Sequence, residues 1–289
     1  MHSLATSKLL CREIMDSDVN IATDLLVQGF PMRRRQYWST GFSRLAKHRS
    51  PAGSPKYGYV LECNGSLVGV VLLITSSIQT GNAQTIRCNL SSWFVAPAFR
   101  AFSPLLILRA ISRRDVTYVN ISAARHTWQI IEAQGFSRYS SGQFVAMPRV
   151  QAPLGKTKVT EVDGVRDIPL EPFERDLLWA HSNYGCLSLW CSTAESAYPF
   201  VFLPRLIKGI IPCFQLIYCR EIGDYVRFAG TLGWHLALRG RPFVIIDSDG
   251  RISGLTGWYF ENSNPKYFKG PDRPRLGDLA YTEAAIFGL

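Results

Sequence analysis

Few side chains in this 289-residue chain suit proton transfer near neutral pH. There are five histidines, and His126 stands out by position. It falls between a strand-like run, Val116–Ala123, and a short helical run, Thr127–Gln134. An imidazole of ordinary pKa, ~6.5, can take up and return a proton there. A histidine at a helix start is also a common capping or surface residue. Tyr139, a little further on, offers a phenol as a proton donor. The seven cysteines are odd in number, form no CxxC pair and sit mostly in apolar runs such as Cys186–Cys191. They read as buried, reduced thiols of a cytoplasmic protein, not as a disulfide framework or a zinc site. No Gly-x-Ser-x-Gly elbow, His-Glu-x-x-His or Walker sequence occurs. Common hydrolases, zinc proteases and P-loop enzymes are therefore disfavoured, and no metal is expected.

The elements that must position these groups follow from hydrophobic spacing. Asp18–Gln28 and Tyr37–Lys47 read as helices. Tyr57–Cys63 and Leu67–Thr75 read as a hairpin across Asn64-Gly65. Thr85–Val95 is a strand closed by Ala96-Pro97, and Ser103-Pro104 reads as an N-cap with proline at the first helical position. Leu105–Ser112 continues that helix. Val116–Ala123, Thr127–Gln134 with its stop at Gly135, and Phe144–Met147 complete an alternation of strand and helix. Such an order implies an α/β chain with at least one parallel strand pair. Val150–Pro169 reads as a connection, and the order strand, strand, strand, helix, strand then recurs between Cys186 and Asp247. The tail, Trp258–Leu289, has no clear assignment, although the Pro265–Asp278 stretch is dense enough in Gly, Pro, Arg and Tyr to suggest an ordered functional loop.

Leu90-Ser-Ser-Trp-Phe-Val-Ala-Pro-Ala-Phe-Arg100, its continuation to Leu105, and Asn120–Phe136 together resemble the GNAT acyltransferase superfamily. The resemblance rests on a strand ending in Val-x-Pro-x-x-Arg, a loop opening a helix, a second strand and helix ending in Gly-Phe, and the preceding hairpin. It covers about residues 9–148 and implies a mixed-sheet acyl-CoA binder, with acetyl-CoA or another acyl-CoA as co-substrate. Phe94 and Val95 would pair with the pantetheine. Arg100, Ala101, Phe102 and Ser103 would hold the pyrophosphate at a helix N-terminus, whose unpaired N–H groups and dipole favour an anion. Two departures weaken that cradle: Ser103 and Leu105 stand where the family has small glycines, and Pro104 lacks an N–H. The family's glutamate falls near Asn89 and its tyrosine at Ile131, so both usual proton-transfer positions are unfilled. His126 is then the substitute base and Tyr139 the candidate acid. Alignment of bound reactants without a dedicated base is the other route.

The charge supports an anionic ligand. The formal net charge is +10, and residues 1–150 carry it all, with 17 basic against 7 acidic residues; the other 15 and 15 cancel. Arg33-Arg34-Arg35 with Tyr37 and Trp38 is a basic-aromatic cluster that suits a phosphate, an anionic acceptor or nucleic acid, or simply a solvated loop. No nucleic-acid motif accompanies it, so nucleic acid ranks last. No signal-peptide-like or spanning apolar stretch is present, which points to the cytoplasm. The expected organisation is two tandem GNAT-like domains, 1–150 binding acyl-CoA and 151–289 degenerate, on the acceptor side or structural. The expected activity is acyl transfer to an amine or hydroxyl of a small-molecule or carbohydrate-like acceptor. The alternative is a catalytically inactive binding or regulatory module. A homodimer is compatible with the sequence.

Overall fold

The computed structural model describes residues 9–80, 83–147, 157–162 and 169–288. They form two compact units, Met1–Asn120 with Gly270–Asp272, and Ile121–Lys269 with Arg273–Leu289.

Unit 1 contains β1 (Leu9–Glu13), α1 (Val19–Gly29), α2 (Arg35–Lys47), β2 (Gly58–Cys63), β3 (Ser66–Thr80), β4 (Ala83–Val95), α3 (Ser103–Ala110) and β5 (Val116–Asn120). The strands lie in the order β1-β2-β3-β4-β5. The first three junctions are antiparallel and β4–β5 is parallel. The hairpin turn is as expected: Asn64 and Gly65 both take positive φ, 49° and 82°, which matches the twist of a two-residue connection. The register of β3 on β4 extends out to Thr80 and Ala83, so polar Ser76 and Ser77 belong to the strand.

Adjacent strand residues point to opposite faces, and two glycines show what each face carries. A Cβ on Gly29, the last residue of α1, would lie 2.5 Å from Phe94, so Phe94 packs under the end of α1. A Cβ on Gly69 would lie 3.1 Å from Val95 and 3.2 Å from Leu106 of α3. Helices α1 and α3 therefore cover opposite faces of the sheet. Ala22, Leu25 and Leu26 of α1, Trp38, Phe42 and Leu45 of α2, and Leu106, Ile107 and Ala110 of α3 are buried, together with Thr23 and Gly41.

Unit 2 holds α4 (Trp128–Ala133), β6 (Ser137–Ala146), β7 (Lys158–Glu161), α5 (Pro172–Asn183), β8 (Leu187–Ser192), β9 (Ala197–Ile207), β10 (Ile211–Tyr218), α6 (Ile222–Ala237), β11 (Phe243–Ser248) and β12 (Gly257–Lys269). Its strand order is β12-β6-β11-β10-β9-β8-β7. From β7 to β10 every junction is antiparallel, and β10–β11 is parallel. This is the pairing scheme of unit 1, with a helix before the last strand in both. The recurrence of elements along the sequence is thus a repeat of topology. Phe228, Leu232 and Leu236 of α6 pack on Phe144, Phe200, Phe202 and Phe214 to form the core.

The division falls at Asn120, where the sequence suggests residue 150. The cause is β6, which pairs antiparallel with β11 on one side and β12 on the other, both later in the chain. Strand β6 also starts at Ser137, seven residues before the expected Phe144, because its first half is too polar to read as a strand. The unassigned tail begins with β12, whose ladder is interrupted between Glu261 and Lys266. There Asn262 and Asn264 take positive φ, a conformation asparagine tolerates. The connection Val150–Pro169 lies mostly outside the described residues, but it includes β7. No helix among the described residues is long and apolar enough to cross a membrane.

Two predictions follow from unit 1. Gly29→Ala would drive a methyl group into the Cβ and Cγ of Phe94. Thermal or urea unfolding is expected to show a loss of about 1–3 kcal/mol from overpacking. His48, just past α2, is half-buried, with Nε2 2.9 Å from the Thr75 carbonyl oxygen, and partial desolvation lowers its pKa. The unfolded chain binds the proton more readily, so this contribution to stability is full above pH ~6.5 and declines as pH falls through the lower folded value. An NMR titration of His48 is expected to give a midpoint below that of a free histidine, and His48→Gln is expected to flatten the pH dependence of unfolding between those values.

Candidate functional site

The site begins where two parallel strands part. Strands β4 and β5 pair from Ile86↔Val116 to Asn89↔Val119, and β5 ends one residue later. Among the described residues, strand β4 runs on to Val95 with only β3 as a paired strand. Asn89 is buried at the fork, and its amide nitrogen donates to the Val119 carbonyl, 3.2 Å, and to that of Leu90, 3.1 Å. An amide held this way ties the strands together at the last pair but cannot accept a proton from an acceptor amine. Immediately beyond, the register Leu73↔Leu90, Val71↔Trp93 places one extra residue in β4. This β-bulge at Ser91-Ser92 turns the free half of the strand away from its former partner.

The chain then passes through a 3₁₀ turn, Pro97–Phe102, straight into α3. Ser103 is therefore the first helical residue and not the cap. Its N–H is spent on the Arg100 carbonyl, and no side chain caps the helix. With Pro104 next, the backbone cradle is poorer in donors than a glycine-rich loop. Leu105 is no plug, however: it is 45% exposed, as Phe102 is at 43%. Arg100 and Ala101 are also exposed and Ser103 half-buried. An anion here would rely on the Arg100 guanidinium, the Ser103 hydroxyl and the helix dipole. Phe94 and Val95, the residues expected beside pantetheine, lie on the free part of β4, facing α1 and α3 respectively. The cationic excess follows this unit, which has 14 basic against 7 acidic residues.

Unit 2 has the same fork with a different occupant. Its parallel pair runs from Cys213↔Phe243 to Gln215↔Ile245, and an extra residue falls in β10 between Leu216 and Tyr218. Here the chain fills the gap itself. Cys219 N–H donates to the Gly277 carbonyl, 2.9 Å, Leu279 N–H donates to the Ile217 carbonyl, 2.7 Å, and Tyr218 bridges Asp278. Arg275 adds a bond from its guanidinium to the Cys219 carbonyl. Gly277 is required there: it has φ 77°, and a Cβ would come within 2.7 Å of the Cys219 sulfur. The helix that follows carries Asp224 in its first turn, where burial raises the carboxyl pKa. An occupied groove and an acidic helix start leave no place for a pyrophosphate.

The residues expected to transfer protons lie in unit 2. His126 is exposed in the segment that follows β5. Tyr139 is buried, with its ring edge-on to Phe268 at 6.2 Å, an arrangement typical of packing. The Pro265–Asp278 stretch is ordered by the fold: Asp272 N–H donates to the Thr117 hydroxyl and Arg275 holds Cys219 and Asp278. Ser122 and Glu283 were not legible as a pair, since 161 residues separate them, yet the Ser122 hydroxyl donates to the Glu283 carboxylate. No cysteine among the described residues is in a disulfide. Burial pushes Cys88, Cys191 and Cys219 up to about 12, so these three are inert thiols at neutral pH. The described residues contain no group of side chains fit to hold a metal ion.

No protein-family model matches the sequence, and no curated protein matches it significantly. Solved structures do match. A GCN5-related N-acetyltransferase from Anabaena variabilis aligns with TM-score 0.60 at 11% identity, covering 91% of this chain and 72% of its own. One from Kribbella flavida gives 0.54 at 9% identity over 91% and 71%. Eis1 from Mycobacterium abscessus gives 0.52 at 10% identity over 94% and 74%. The chain has the α/β fold of the GNAT acetyltransferases.

Proposed function

We propose that the protein is an acyl-CoA-dependent acyltransferase with its cofactor on unit 1. The fork of β4 and β5, with the bulge and the turn into α3, carries this reading, because the equivalent fork of unit 2 is filled by the chain. Pantetheine would pair with the backbone of Phe94 and Val95, and the pyrophosphate would meet Arg100, Ala101, Phe102 and Ser103. The acyl group, acetyl in the simplest case, would pass to an amine or hydroxyl of a small-molecule or carbohydrate-like acceptor. His126 is the proposed base, by its chemistry and its exposure in the 121–127 segment. Tyr139, buried against Phe268, is the weaker half of that pair.

A second reading has one specific observation behind it. Asn89 is locked to Val119 where the resemblance implies a carboxylate, so unit 1 could bind acyl-CoA without turning it over. The two readings differ in thiol release. Isothermal titration with acetyl-CoA is expected to show binding. Arg100→Ala is expected to weaken it about tenfold, the loss of ~1.4 kcal/mol for a charge-assisted phosphate contact. Steady release of free CoA with a panel of amine acceptors supports the transferase, and binding without release supports the module. Absence of any binding, with acetyl-CoA or longer acyl-CoA, would sink both.

A further inference from the structure

Within unit 2, strands β9 and β10 form a hairpin that outruns the strands on either side of it. On one flank β8 begins at Leu187, opposite Phe202, so residues 203–207 of β9 run on for about 17 Å beyond it. On the other flank β11 first pairs at Phe243, opposite Cys213. Arg241 fixes the base there, donating from Nη1 to the Arg205 carbonyl at 2.7 Å and to the Cys213 carbonyl at 3.4 Å. Beyond that base lies Leu206-Ile-Lys-Gly-Ile-Ile-Pro212. The Ile210 N–H donates to the Ile207 carbonyl at 3.1 Å, and Lys208 and Gly209 take positive φ, 49° and 74°, to make the turn. Turn residues are ordinarily polar or glycine. Here Ile210 is 80% exposed, Leu206 49% and Ile211 45%. The hairpin also carries no acid: between Glu195 and Glu221 the chain has no Asp or Glu, while Arg205, Lys208 and Arg220 are basic. Arg205 is bonded to Gln215 and Arg220 to Glu174, so Lys208 is the exposed cation of the tip.

The geometry points to a membrane-docking tip: residues 206–212 seat in the interface of a bilayer that carries anionic phospholipid. This inference is independent of the acyl-CoA reading. Exposed apolar side chains gathered at one place mark a contact surface, and length, shape and charge select the occupant. From Cys213 to Ile211 the tip advances about 7 Å past its base. That lies within the ~5–10 Å to which apolar groups sink at the boundary of headgroups and acyl chains. A stable protein interface takes roughly 800 Å² from each partner, far more than three side chains at the end of a two-stranded hairpin can give. A lipid surface closes around a narrow protrusion and so reaches every side of it. Lys208 lays its methylene stem along the isoleucines and keeps its ammonium among the lipid phosphates. The lack of any acid on the hairpin removes repulsion from the same surface.

Co-sedimentation of the full chain with lipid vesicles tests this. Vesicles of phosphatidylcholine with phosphatidylserine are expected to retain the protein, vesicles of phosphatidylcholine alone to retain less, and added salt to release it. Ile210→Ser is expected to lower the partition coefficient at least about tenfold, the loss of one buried isoleucine. Lys208→Ala is expected to lower it about fivefold, the loss of one charge at the surface. Both side chains are exposed, so melting temperature and acetyl-CoA binding are expected to match wild type. Ile210→Trp is expected to bind at least as tightly as wild type, with an added emission that shifts to the blue on anionic vesicles. No retention on anionic vesicles would overturn the proposal, as would retention that Ile210→Ser leaves unchanged or an Ile210→Trp emission that does not shift. Self-association without lipid that Ile210→Ser abolishes would also overturn it, since the tip would then be a contact between copies.

Discussion

Backbone polar groups must be satisfied, and a strand that outlasts its partner leaves a row of them in need of partners. That constraint organises both units. Each has a parallel pair that ends at a buried amide side chain, Asn89 or Gln215. Each then has one extra residue in the longer strand, which bends it away. In unit 2 the debt is met by residues 277–279. In unit 1, among the described residues, no strand takes the place of β5 beside the end of β4. A duplicated scheme has thus diverged into one fork closed by the chain and one fit for an extended polar ligand.

Closing the second fork has a consequence for the tail. Within it, Gly277 and Leu279 are pinned by backbone bonds, and the Tyr281 N–H donates to the His181 ring. Its position is therefore set by the fold of unit 2 and not by local propensity. Gly277 and the short π-helix Ala284–Gly288 are the local costs of that path. The same path delivers Glu283 to Ser122. Burying a carboxylate is costly unless it is paired or hydrogen-bonded. The Ser122 hydroxyl and the field of Lys266 meet that requirement.

Much of the fold was legible because hydrophobic period and turn chemistry agree. Helices α1 and α2 and the Asn64-Gly65 hairpin lie where their patterns place them. The cofactor strand and helix were legible through Val95, Pro97, Arg100 and Pro104. The helix start was misplaced as a cap at Ser103 because the 3₁₀ turn before it has no distinctive residue pattern. Strand β6 was half missed, since Ser137–Gln143 is polar, and with it the boundary at Asn120. The tail was unreadable because its partners are remote: Gly277 meets Cys219, and Glu283 meets Ser122. No local pattern encodes contacts at that separation. The extra residue in β4 did leave a trace, two serines inside an apolar strand.

The positive charge lies mainly in unit 1, whose helix start beside the fork is poor in backbone donors. Side chains must then do what glycine amides do elsewhere, which places weight on Arg100. The central claim is that one fork takes the cofactor and the other is already full. Hydrogen–deuterium exchange with and without CoA tests it most directly. Slowed exchange at residues 91–95 and 100–106, with residues 217–224 unchanged, is the expected result. Protection at 217–224, or none at 91–106 under saturating CoA, would contradict it.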